Sequence, residues 1–111
     1  MAKYERTITG DEGAILTMLH DHIMAGGWSM SLVEESDVHM GSVHIVTRVY
    51  DKYFMRNSSR ASLTLVVVSQ GDELSITAIG SGAGTSPTVN ISVGAEAELV
   101  SIVAHAIEDT L

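Results

Sequence analysis

The chain has 111 residues, 45% hydrophobic and 18% charged, with net charge −8 and no cysteine. This length bounds the chain to one α+β domain over 1–111, with a core that needs no covalent staple; the missing cysteines exclude a disulfide framework and thiolate chemistry. Fourteen acids against six bases exclude a sequence-independent grip on nucleic acid. No apolar run reaches the ~20 residues of a membrane span, and the polar start Met1-Ala2-Lys3-Tyr4-Glu5-Arg6 lacks a signal-peptide apolar region. The expectation is a soluble cytoplasmic protein with no nucleic-acid or membrane partner.

Residues 3–9 alternate and read as a short strand. Gly10-Asp11 ends it, with Asp11 as helix N-cap and Glu12 favourable in the first turn. Ala14, Ile15, Met18, Leu19, His22 and Ile23 form the stripe of an amphipathic helix, stopped by Ala25-Gly26-Gly27. At roughly 20 Å, such a helix must dock on something to persist.

Residues 28–80 read with period two as four strands. Gly41-Ser42 suits a type II′ hairpin turn, setting Met40 against Val43, His39 against His44 and Val38 against Ile45. Trp28, Met30, Leu32, Val38 and Met40 then share a face with Val43, Ile45, Thr47 and Val49, expected to be the core face. Gly71-Asp72 sets Val67 against Ile76 and groups Leu63, Leu65 and Val67 with Leu74, Ile76 and Ala78. The polar run 56–60 is a loop, and an odd length or a bulge there brings both apolar sets to one face. The other face then carries His44, Val46, Arg48, Tyr50, Val66, Val68 and Ile79. The acidic stretch Glu34-Glu35-Ser36-Asp37 marks a bulge or break in the second strand.

The glycine-rich run 80–87 reads as a mobile connection. Residues 88–93 alternate and predict a sixth strand. Residues 95–111 predict a helix with Leu99, Ile102, Val103, Ala106 and Ile107 on one stripe and Glu96 and Glu98 in its first turn. The order is β-α-β-β-β-β-β-α: a six-stranded antiparallel sheet in spatial order 1-6-5-4-3-2, with two helices on one face.

That topology resembles a shortened helix-grip fold, the architecture of START and pollen-allergen-like ligand carriers. At the sequence level, the opening 2–11, Arg48-Val49-Tyr50 with Lys52-Tyr53, and Gly71-Asp72-Glu73-Leu74 resemble a family of small bacterial proteins of unknown function. That second resemblance covers most of the chain and implies no catalytic residue to transfer.

Signatures of chemistry are sparse. His20 and His22 point about 200° apart on a helix and do not share a metal. His39 and His44 would stand with Cβ atoms about 5 Å apart, but a tetrahedral zinc site needs further ligands, so the pair reads as solvent-facing and no metal or cofactor is assigned. The loop from Gly80 lacks the lysine and helix of a phosphate cradle, and no serine sits in a nucleophile elbow. Arg48, Lys52, Arg56 and Arg60 read as a solvated basic corner.

The reading is therefore of a non-enzymatic binding module. An apolar cavity for a small ligand is expected at Met18, Leu19, Trp28, Met30, Leu65, Ile76, Leu99 and Val103, from the helix-grip-like order together with Met18, Met24, Met30, Met40 and Met55 in or beside the core elements, methionines that otherwise read as gap-fillers of an ordinary core. The alternative is a homodimer formed through Val46, Tyr50, Val66, Val68 and Ile79 on the other sheet face.

Overall fold

The computed structural model describes residues 2–54, 59–83 and 91–111. Their order is β1 (Ala2–Thr9), α1 (Glu12–Met24), β2 (Ser31–Met40), β3 (Val43–Phe54), β4 (Ser59–Gln70), β5 (Glu73–Ala83) and α2 (Ile91–Thr110). The fold is α+β: a five-stranded antiparallel sheet in the order β1-β5-β4-β3-β2, with both helices on one face.

Both hairpins form where glycine leads the turn. His39 pairs with His44 across Gly41-Ser42, and Val67 with Ile76 across Gly71-Asp72. Gly41 and Gly71 have φ of 59° and 62°, the left-handed region that the first position of a primed turn requires. β1 lies beside β5, the last strand of the meander.

The sixth strand expected over 88–93 is not found among the described residues. Residues 91–93 are the first turn of α2, while 88–90 lie outside the described residues. Three alternating positions are too few to separate strand from helix, and the helical stripe of Ala95, Leu99 and Val103 follows directly. The earlier start moves Glu96 and Glu98 out of the first turn. The glycine-rich run also begins as strand: 80–83 complete β5, and 84–90 lie outside the described residues.

A larger correction concerns β3. Phe54 pairs with Ser59, Tyr50 with Leu63 and Val46 with Val67. The connection 55–58 thus spans an even number of residues, not an odd one, and the parity inverts. Val46, Tyr50 and Phe54 face the helices with Leu63, Leu65, Val67, Leu74, Ile76 and Ala78, all buried. Val43, Ile45, Thr47 and Val49 fall on the open face with Thr64, Val66 and Val68.

A bulge divides β2 in the same sense. Leu32 pairs with Tyr50 and Glu34 with Val49, so Val33 is an extra residue. Met30 and Leu32 side with the helices, whereas Val38 and Met40 side with Val43 and Ile45. The strand runs on through the acidic stretch to Met40.

Ile15, Leu19 and Ile23 of α1 and Leu99, Val103 and Ile107 of α2 close the core over the sheet; each side chain so buried contributes about 1.5–3 kcal/mol. The Asp11 carboxylate caps α1 by accepting from the Ala14 N–H at 2.9 Å. At Gly80 a Cβ would stand 2.6 Å from the Glu96 carbonyl oxygen, so α2 lies directly on β5 there. Among the described residues no helix is long and apolar enough to cross a membrane.

Candidate functional site

The helix-facing side of β2 and β3 changes character beyond Tyr50. Toward the Gly41 turn its side chains are Arg48, Val46 and His44 on β3, opposite Glu35, Asp37 and His39 on β2. The start of α1 adds Glu12. A polar cluster therefore forms where the core ends, built by strand parity, the hairpin register and the N-terminus of one helix.

His44 is its hub. Its Nδ1 lies 2.7 and 2.6 Å from the two Glu12 carboxylate oxygens, and its Nε2 lies 2.5 Å from Asp37 Oδ1. The buried Ser69 hydroxyl donates to Glu12 from β4. His39 stacks on His44 with ring centroids 4.0 Å apart and planes 6° from parallel, and its Nε2 lies 3.4 Å from the same Asp37 oxygen. Hydrogen bonds to Glu12 and then to Asp37 raise the His44 pKa above its ordinary value. Burial pushes the Glu12 carboxyl up, but hydrogen bonds from Ser69 and His44 outweigh it, and its pKa lies below the usual value.

Beside this cluster, Thr17, His20, Leu32, Glu35 and Arg48 border a surface cleft of about 300 Å³. Arg48 Nε donates to Glu35 at 2.5 Å, and His20 Nδ1 lies 2.9 Å from the Tyr50 hydroxyl. Burial pushes the Tyr50 phenol up, against the opposing effect of Arg48.

The expected basic corner is dispersed. Arg48 and Lys52 lie on the helix side, Lys52 donating to the Gly26 carbonyl at 2.9 Å. Arg60 is on the other side, paired with Asp51 at 2.7 Å, and Arg56 lies outside the described residues.

Of the eight side chains expected to line a cavity, Leu19, Met30, Leu65, Ile76, Leu99 and Val103 are buried in the core cluster, and Met18 packs partly buried against it. Trp28 precedes β2 and is 84% exposed. It borders a surface cleft of about 240 Å³ with Gly27, Ser29, Lys52, Tyr53, Phe54 and Glu98. Met24 is partly buried against the core, Met40 is exposed and Met55 lies outside the described residues.

The expected interface set is split. Val66, Val68 and Ile79 lie on the open face, but Val46 and Tyr50 are buried under the helices, 3% and 0% exposed, because of the even β3–β4 connection. Asp37 and Glu12 are partners of the histidine pair that the sequence reading misses. The spacing of Asp37 two residues before His39, on one face of a strand, is the available signal; Glu12 arrives only through the docking of α1.

Family comparison matches residues 1–111. The chain belongs to DUF6054, a family of unknown function. The resemblance carried by 2–11, 48–53 and 71–74 implies a family of that kind. A crystal structure of TTHA0849 from Thermus thermophilus is similar at 8% identity over 99% of each chain, with a TM-score of 0.37. No curated protein matches the sequence. DUF6054 carries no assigned activity in its description, so the functional reading rests on the geometry of the polar cluster and of the open face.

Proposed function

We propose that the protein is a non-enzymatic interaction module that pairs with a second copy of itself through the open face of its sheet. One observation carries this reading. The centre of that face is formed by Val43, Ile45, Thr47, Val49, Thr64, Val66, Val68, Thr77 and Ile79, all half-buried and none charged. Charges stand at its margins: Lys3 and Glu5 on β1, Glu34 on β2 and Glu73 at a turn. An uncharged centre within a polar rim is the anatomy of a protein interface.

Size and shape favour a second copy. Five strands and four rows of side chains give a face of roughly 650 Å², near the ~800 Å² per partner of a standard interface. The face also carries both a projection and a hollow. Met40 is 66% exposed, and a hollow of about 240 Å³ lies among Thr7, Val43, Val68, Gln70, Glu73 and Ser75. A two-fold axis sets the Met40 of each copy against the hollow of the other. The exposed edge strand β2 is guarded against strand addition by its bulge and by Glu34, Glu35 and Asp37.

Sedimentation velocity over a concentration series tests the reading. The wild-type chain is expected to sediment as a dimer and Val66→Glu as a folded monomer. A wild-type monomer at high micromolar concentration, or a Val66→Glu dimer, would overturn it.

A second reading, binding of a small apolar ligand, is favoured by the exposed Trp28 beside Tyr53 and Phe54. A ligand there meets the end of the core rather than its closed middle. Because Trp28 is the sole tryptophan, titration with 1-anilinonaphthalene-8-sulfonate should shift its emission saturably; unchanged emission counts against the reading.

A further inference from the structure

We propose that the β2–β3 hairpin carries a binding site for a divalent transition metal of the zinc type, formed by Asp37, His39 and His44 and oriented by Glu12. The site lies on the helix side of the sheet and is independent of the dimer surface.

The ligand atoms already converge. Asp37 Oδ1, one imidazole nitrogen of His39 and one of His44 all lie within 4.8 Å of one another. Ligands sharing one tetrahedral zinc ion at about 2.0–2.1 Å stand about 3.3–3.5 Å apart. The His39–Asp37 separation of 3.4 Å is already in that range, and the His44–Asp37 separation of 2.5 Å needs to open by somewhat less than one ångström. The side chains that must adjust are free to do so, since those of His39 and Asp37 are 71% and 58% exposed. The backbone does not move, because the His39–His44 register is fixed by a two-residue turn with glycine leading.

His44 also has the outer partner typical of a metal-ligating histidine. Glu12 accepts from its Nδ1, which leaves Nε2 as the ligating atom, and Ser69 holds Glu12 in turn. The two rings are stacked 4.0 Å apart and 6° from parallel, so their in-plane lone pairs do not yet meet at one point. The exposed His39 ring must turn about its side-chain torsions to share an ion with His44. Two imidazoles and one carboxylate suit zinc and its neighbours rather than magnesium or calcium, and the exposed side keeps a fourth position for water.

Calorimetric titration of the metal-stripped full chain with zinc chloride tests the site, with circular dichroism to verify that each variant is folded. One zinc ion should bind per chain. His39→Ala and Asp37→Asn should each weaken binding at least about tenfold, and Glu12→Gln should weaken it by about ten- to a hundredfold while stoichiometry holds. His105→Ala, on the exposed side of α2, should bind as wild type, and magnesium chloride should give no saturable heat. Absence of saturable zinc binding, wild-type affinity in His39→Ala, loss in His105→Ala, or magnesium binding as tight as zinc each overturns the proposal.

Discussion

Tyr50 of β3 meets His20 of α1, hydroxyl to Nδ1 at 2.9 Å with ring centroids 5.8 Å apart. This contact marks which side of β3 faces the helices, for Tyr50 is completely buried while its neighbour Val49 lies on the open face. Truncating Tyr50→Ala should cost about 3–5 kcal/mol of stability. Tyr50→Phe keeps the ring, loses the hydrogen bond and should cost about 0.5–1.5 kcal/mol. Val49→Ala should cost less than about 1 kcal/mol in the monomer. Urea unfolding of the three variants orders them; a Val49→Ala loss equal to that of Tyr50→Ala would place β3 the other way round.

Gly80 and Gly71 are glycines for different reasons. A Cβ on Gly80 meets the backbone of α2 at Glu96, whereas a Cβ on Gly71 meets nothing within 4 Å but sits at positive φ. Gly80→Ala forces the helix away from β5 and should destabilise by about 1–3 kcal/mol or more. Gly71→Ala stores only backbone strain, about 1–2 kcal/mol. Hydrogen exchange separates them further: Gly80→Ala should speed exchange along α2, and Gly71→Ala at the β4–β5 turn.

Glu108 ties the end of α2 to β1. It accepts from the Tyr4 hydroxyl at 2.7 Å and pairs with Arg6. Hydrogen bonds from Tyr4, then Arg6, hold its carboxyl below the ordinary value of 4.5. A lowered carboxylate stabilises the fold fully above its unfolded value, and that contribution disappears as pH falls through the folded one. The melting temperature of Glu108→Gln should therefore lie below wild type at pH near 7, with the gap closing in strongly acidic buffer. A gap that widens on acidification contradicts this assignment.

Much of this architecture can be read from local chemistry. The two hairpins announce themselves because glycine leads each turn and the flanking residues alternate. The first helix is legible from its cap, its stripe and its stop. What escapes is parity carried over a distance. One extra residue at Val33, one position before the acidic stretch where a bulge or break is expected, and an even connection between Phe54 and Ser59 each invert the face of everything beyond them. The acidic stretch marks the first without fixing its position, and no turn glycine marks the second. The same inversion takes Val46 and Tyr50 from the open face into the core. The polar cluster is half legible: His39 and His44 follow from the turn, while Glu12 and Ser69 come from elements separated from them in sequence.

Two single-cysteine variants test the central claim most directly, since the chain has no cysteine of its own. Maleimide labelling of Val66→Cys and Val46→Cys is followed under native conditions across a dilution series. The account predicts that Cys at 66 is protected in concentrated protein and labelled on dilution, while Cys at 46 stays protected throughout. Labelling at 66 that ignores concentration contradicts the paired sheet face, and labelling at 46 as fast as at 66 contradicts the register beneath it.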